Sequence, residues 1–223
     1  MFGSGSLFAM FACCWSLSSL VLSPSFDTSQ VADMGSMFNG CESLSSLVLP
    51  PSFDTSQVTD ASFMFDGCSS LASLVLSDSF DTSQVTDMCA MFDCCSSLSS
   101  LVLPPSFDTS QVKDMKFMFN GCTSLSSLTL PASFDISQVD ELYSMFCGCS
   151  SLARIDSDSR DPRWVFDLYH ALDEGDIPAE VISNFEDHIK SCYSLDDFDD
   201  DDSGYKHCLE AVFAGVPLED VLV

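Results

Sequence analysis

MFNGCESLSSLVLPPSFDTSQVTDASF, residues 37–63, is followed at once by a second Met-Phe at Met64-Phe65, and that restart decides the fold. The pair occurs at Met10-Phe11, Met37-Phe38, Met64-Phe65, Met91-Phe92, Met118-Phe119 and Met145-Phe146, every spacing being 27 residues. The same period carries Cys14, Cys41, Cys68, Cys95, Cys122 and Cys149. It also carries Leu17 through Leu152 and a third series from Leu20 to Leu128, continued by Ile155. Phe26, Phe53, Phe80, Phe107 and Phe134 form a further series, each followed by Asp. So many columns without an insertion define a repeat, whose units cannot bury their apolar side alone and must stack.

Each part of the unit has a physical reading. In Ser46-Leu47-Val48-Leu49 apolar and outward residues alternate, the period of a strand with one buried face. Proline follows the strand at Pro50, Pro104 and Pro131 and, lacking an N–H, ends the ladder. Asp33, Asp60, Asp87 and Asp114 stand where an N-cap begins a short helical turn, with Met34, Met37 and Phe38 on one face. Gly40, Gly67, Gly121 and Gly148 fall where such a helix stops in the left-handed conformation. The expected architecture is α/β: a leucine-rich-repeat solenoid of 27-residue coils, with parallel strands and short helical turns.

The repeat occupies residues 1–155, and 156–223 read as an acidic helical C-terminal region that caps the last coil. Asp161-Pro162 opens a first helix that Gly175 ends, Pro178 opens a second, and Tyr205 to Val216 forms a third. Trp164, Val165, Leu168 and Leu172 give the first an apolar face.

With 34 Asp and Glu against 7 Lys and Arg, the formal net charge is −27, which repels nucleic-acid phosphates and anionic lipid headgroups and excludes nucleic acid as a partner. No run approaches the roughly 20 apolar residues of a membrane span, so no membrane insertion is expected. The apolar start, MFGSGSLFAMFACC, imitates a signal peptide, but the first basic residue is Lys113. These residues read as an incomplete first coil whose uncapped end invites self-association.

The columns resemble the BspA-like leucine-rich repeats of mycoplasma and gut-bacterial surface proteins, through MFNGCESLSSLVLPPSFDTSQVTD and its neighbours. The resemblance spans Met10 to Ile155. It implies a leucine-rich solenoid displayed on cells, adhesion to host proteins or other cells, and no shared catalytic residues.

The residues themselves propose a binding face. Ser19 and Val21, Ser46 and Val48, Ser73 and Val75, Ser100 and Val102, and Ser127 and Thr129 should point outward as a nearly uncharged stripe on an acidic molecule. Such a stripe suits an extended protein or cell-surface ligand; the alternative is an intracellular scaffold or a structural repeat protein without a specific ligand. The six-rung cysteine column reads as buried free thiols, because stacked parallel Cβ atoms lie about 4.8 Å apart, beyond disulfide reach. Asp27, Asp54, Asp81, Asp108 and Asp135 stack like charges, which Asx-type turns compensate, a calcium-bridged ladder being the alternative. In the tail, Asp199, Asp201, Ser203, Gly204 and Glu210 match the spacing of a calcium loop, although Lys206 replaces its aliphatic position. His188, Cys192, His207 and Cys208 have weak zinc spacing. No nucleophile–base–acid set stands out, so neither an enzyme nor a cofactor is expected beyond the calcium candidate.

Overall fold

A computed structural model describes residues 5–136 and 138–157. Its strands are β1 (Gly5–Ser6), β2 (Val31–Asp33), β3 (Ser46–Val48), β4 (Ser73–Val75), β5 (Ser100–Val102), β6 (Ser127–Leu130) and β7 (Arg154–Ser157). All strand pairs are parallel. Register follows the repeat, with Leu47 opposite Leu74 and Leu101 opposite Leu128. Stacking by one coil therefore puts like on like. Cys41, Cys68, Cys95 and Cys122 are fully buried rungs of one column, as are Leu44, Leu71, Leu98 and Leu125.

Two phenylalanine columns run through the core. Phe11, Phe38, Phe65, Phe92, Phe119 and Phe146 stack with ring centroids 5.4–5.5 Å apart. Phe26, Phe53, Phe80 and Phe107 stack at 6.2–6.5 Å. Both spacings exceed the roughly 4.8 Å between strands, so the rings are offset, the arrangement their quadrupoles favour.

The expected helical turns are not helices; no helix occurs among the described residues. An α-helix would bond the Phe38 amide to the Met34 carbonyl. Instead the amides of Met34, Ser36, Phe38 and Gly40 donate to Asp60, Ser62, Met64 and Asp66 of the next coil, at 2.7–3.0 Å. The intervening amides close four-residue turns, Met37 to Met34, Asn39 to Ser36 and Cys41 to Phe38. Alternate amides thus serve stacking and folding back, a division that a helix cannot make. It requires a left-handed residue in mid-turn, supplied by Ser36, Phe63, Ala90, Phe117 and Ser144 at φ 53–58°. The glycines at Gly40, Gly67, Gly121 and Gly148 are left-handed as expected, at φ 68–74°.

Both aspartate series work as local caps. Asp33, Asp60, Asp87 and Asp114 accept from the amide two residues on, at 2.9–3.0 Å, but they cap a turn and not a helix. Asp27, Asp54, Asp81 and Asp108 make the expected Asx turns to Ser29, Ser56, Ser83 and Ser110 at 2.8–3.0 Å. Each buried Thr beside them, Thr28, Thr55, Thr82 and Thr109, donates its hydroxyl to the aspartate carbonyl of the next coil at 2.7 Å. The D-T-S motif therefore staples one coil to the next, a role the periodicity alone did not disclose. The proposed helical region, 156–223, lies outside the described residues from 158 onward.

Candidate binding face

Strand alternation sends Leu47, Leu74, Leu101 and Leu128 inward and leaves the residues on either side facing out. Val21 is 91% exposed, Val48 61%, Val75 48% and Val102 65%, values far above those of the buried valines Val58 and Val85. Ser19, Ser46, Ser73 and Ser100 are exposed beside them. Ser127 and Thr129 are half-buried, where β6 pairs on both sides and the neighbouring rungs are Arg154 and Asp156. Register thus aligns Ser46 with Ser73 and Val48 with Val75, and Ser100 with Ser127 and Val102 with Thr129, and charged positions bound the stripe at β7; Ser19 and Val21 are exposed but lie outside the strands.

The acidic character lies elsewhere on the coils. Asp33, Asp60, Asp87, Asp114 and Glu141 form one column of parallel bridges. Burial raises the Asp87 carboxyl above its ordinary range, with Asp60 and Asp114 adding to the effect and Lys116 opposing it. Lys116 bonds Asp114 at 2.8 Å and lies 5.7 Å from the centre of the Tyr143 ring.

A third polar column escaped the sequence reading. The variable residue of Met-Phe-x-Gly-Cys is Asn39, Asp66, Asp93 and Asn120 in successive coils. Asn39 Nδ2 donates to Asp66 at 2.7 Å, and Asn120 Nδ2 to Asp93 at 2.8 Å, so two amides flank two stacked carboxylates. The alternation of Asn and Asp at one position was the available signal. Burial, then the Asp93 charge, push the Asp66 carboxyl up from 3.8 to about 6, against the pull of the Asn39 amide. The native state therefore takes up this proton more readily than the unfolded chain. The associated stability is complete below 3.8 and is lost as pH rises through about 6, leaving an ionic burden at pH 7. Such a shift corresponds to about 3 kcal/mol at full burial; Asp66 is half-exposed, and solvent screening reduces this to about 1 kcal/mol. Asp66→Asn keeps the acceptor for Asn39 and offers an amide to Asp93. It is expected to stabilise the protein by about 1 kcal/mol at pH 7, with the gain shrinking toward pH 4. Urea midpoints of both proteins between pH 4 and 8 check this, and a pH-independent difference would refute it.

The buried cysteines are satisfied in an unexpected way. Cys41, Cys68, Cys95, Cys122 and Cys149 donate their thiols to Phe11, Phe38, Phe65, Phe92 and Phe119 carbonyls of the preceding coil, at 3.1–3.3 Å. Cys41, Cys68, Cys95 and Cys122 are free of disulfides. Among the described residues, no three His, Cys, Asp or Glu side chains converge as a metal site would need. The carboxylates of the Asp27 series accept from their own turns, as described above. The calcium candidates Asp199, Asp201, Ser203 and Glu210 and the zinc candidates His188, Cys192, His207 and Cys208 lie outside the described residues.

The model of a family described as Mycoplasma protein of unknown function, DUF285, matches the chain over residues 5–101 and again over 74–171. The chain belongs to that family. It is a BspA-like leucine-rich repeat protein. Two solved structures are similar to it. One is a leucine-rich repeat protein of T. pallidum, 24% identical with a TM-score of 0.37, over 63% of this chain and 71% of that one. The other is a leucine-rich repeat protein from Bacteroides ovatus, 15% identical with a TM-score of 0.25, over 67% and 63% of the two chains. No curated protein matches the chain. Among the described residues of this family member, no helix is long and apolar enough to cross a membrane.

Proposed function

We propose that the chain is a non-enzymatic binding protein that engages a protein or cell-surface partner through the outward face of its strands. One observation carries the reading: an exposed Ser-Val stripe, without a charge from Ser19 to Thr129, on a protein of net charge −27. An apolar strip repeated at coil spacing contacts an extended partner at several rungs, so weak contacts add along its length. Membership of the BspA-like repeats supports adhesion and display on a cell surface or outside the cell. The carboxyl-rich remainder repels polyanions, in keeping with a protein ligand and no nucleic acid.

The reading is tested with the full chain coupled to fluorescent beads and presented to cultured epithelial cells. Wild-type beads should adhere, and V48S/V75S/V102S should weaken adhesion by about ten-fold, the equivalent of 1.4 kcal/mol. The three valines are exposed, so the urea midpoint should stay unchanged. Equal adhesion of the variant and wild type would refute the assignment of the face.

A second reading, an intracellular scaffold, draws on the cysteines. Cys41, Cys68, Cys95 and Cys122 are free thiols, as is Cys13 on the surface, which suits a reducing compartment. The first coil also supports self-association, since Phe8, Met10 and Trp15 are 59%, 43% and 62% exposed.

A further inference from the structure

The face is not uniform. β3 pairs with β4, and β5 with β6 and β7, but β4 and β5 lie side by side without pairing. The Leu49 amide donates to the Val75 carbonyl and the Leu103 amide to the Thr129 carbonyl, both at 3.1 Å. Among the described residues the equivalent bond from Leu76 to Val102 is missing. The bonds from Ala72 to Ser45 and from Ser126 to Ser99, at 3.0 and 2.9 Å, likewise bracket a missing one from Ser99 to Ala72.

The break follows the residue that leaves the strand. Pro50, Pro104 and Pro131 follow strands that pair onward to the next coil; Ser23 and Ser77 follow segments that do not. Proline keeps its predecessor out of the helical region, which holds Leu49, Leu103 and Leu130 extended for the ladder. Serine imposes no such restriction and bonds locally instead, Ser77 Oγ to Ser79 Oγ at 2.7 Å and Ser23 Oγ to Ser25 Oγ at 2.8 Å. The seam after Ser77 opens the core slightly. Leu76 is only partly buried, whereas Leu49 and Leu103 are 2% exposed, and Leu74 reaches 8%. Between the two strands runs a groove of about 470 Å³, lined by Leu74, Val75, Leu76, Val102, Leu103 and Asp78 among others.

We propose that this seam docks an extended peptide segment of the partner bearing lysine or arginine beside apolar residues, an inference that rests on the face being the binding surface. The Leu76 amide and the Ala72 carbonyl lack the ladder bonds that the Leu49 amide and the Ser45 carbonyl make, so each can bond the backbone of a peptide laid along the groove. The leucines of the floor take the apolar side chains that alternate along such a segment. Asp78, exposed at the rim, is the one charged residue of the lining. It selects a cation, and the charge of −27 reinforces that choice at longer range. The volume lies within the roughly 300–1,000 Å³ of sites that accept small ligands and short segments.

The test titrates the isotopically labelled full chain with acetyl-(Lys-Val)3-amide and, separately, with acetyl-(Glu-Val)3-amide, following backbone amide resonances. The lysine peptide should shift Leu74 to Leu76 and Ser99 to Leu103, and the glutamate peptide should bind at least ten-fold more weakly. Asp78→Asn should weaken the lysine peptide about 2–5-fold, as an exposed ion pair does. Ser77→Pro, which copies the proline of its neighbours, should slow hydrogen exchange at Leu76 and abolish binding. Shifts spread evenly from β3 to β6 and unaffected by Ser77→Pro would overturn the seam while leaving the face reading intact. Binding of neither peptide would also overturn it, the bead assay deciding the face separately. Equal binding of both would overturn the choice of a basic segment.

Discussion

Phe92→Ala destabilises the protein by about 3–5 kcal/mol, the range found when a buried phenylalanine is truncated. Phe92 is fully buried and stacks on both sides, 5.5 Å from Phe65 and 5.4 Å from Phe119. Truncation removes two ring contacts and opens a cavity whose walls are rungs of a rigid stack, so relaxation is limited. Position along the solenoid should grade the effect. Phe11 has the same place in its coil but is only partly buried and, among the described residues of its column, stacks on Phe38 alone, at 5.4 Å. Phe11→Ala should therefore cost about 1–2 kcal/mol, on the basis of partial burial. Urea midpoints of the two variants test the gradient. Equal losses at Phe11 and Phe92 would contradict a stack in which interior rungs depend on neighbours above and below.

Alkylation of the native protein should separate its thiols by about a thousand-fold or more in rate, since reaching a buried rung requires an opening that costs at least about 4 kcal/mol. Cys41, Cys68, Cys95 and Cys122 are fully buried and hydrogen-bonded to backbone carbonyls. Burial also raises the Cys95 and Cys122 thiols well above their ordinary range, further depleting the reactive thiolate. Cys13 and Cys94 stand instead at glycine positions of the repeat, left-handed at φ 57° and 55°, with exposed side chains. Cys94 should still react slowly for an exposed thiol at pH 8, because partial burial and the Asp93 carboxylate push it up to about 11. Peptide mass spectrometry after timed alkylation gives the order, and urea should release the column. Prompt labelling of native Cys95, or bridged column cysteines in the unfolded chain, would contradict the structure.

Much of this was legible from one period. Columns of Phe, Cys and Leu at a spacing of 27 residues can coincide only if equal coils stack, and burial at those positions agrees. Ser46 and Val48 were readable as outward because strand alternation leaves two faces, one already filled by leucine. The Asx turns at Asp54 and its equivalents were readable because an aspartate can reach the amide two residues on without help from the rest of the fold. The helical turn at Met34–Phe38 was misread because spacings of three and four residues describe a helix and a run of tight turns equally well. What separates them is the Phe38 amide, which bonds Met64 of the next coil and not Met34. The Asn39–Asp66 and Asp93–Asn120 bonds were hidden for a similar reason: each partner is unremarkable in its own coil.

Residue types recurring at a fixed interval set the length of the coil, the side chains that fill its interior and the strand positions that face outward. How each turn is closed, which polar side chains meet between coils and where the sheet parts beside Ser77 emerge only from the packed coils. Those outcomes depend on competition between bonds within a coil and bonds to its neighbour, and the winner is set by the separation and orientation of two stacked backbones.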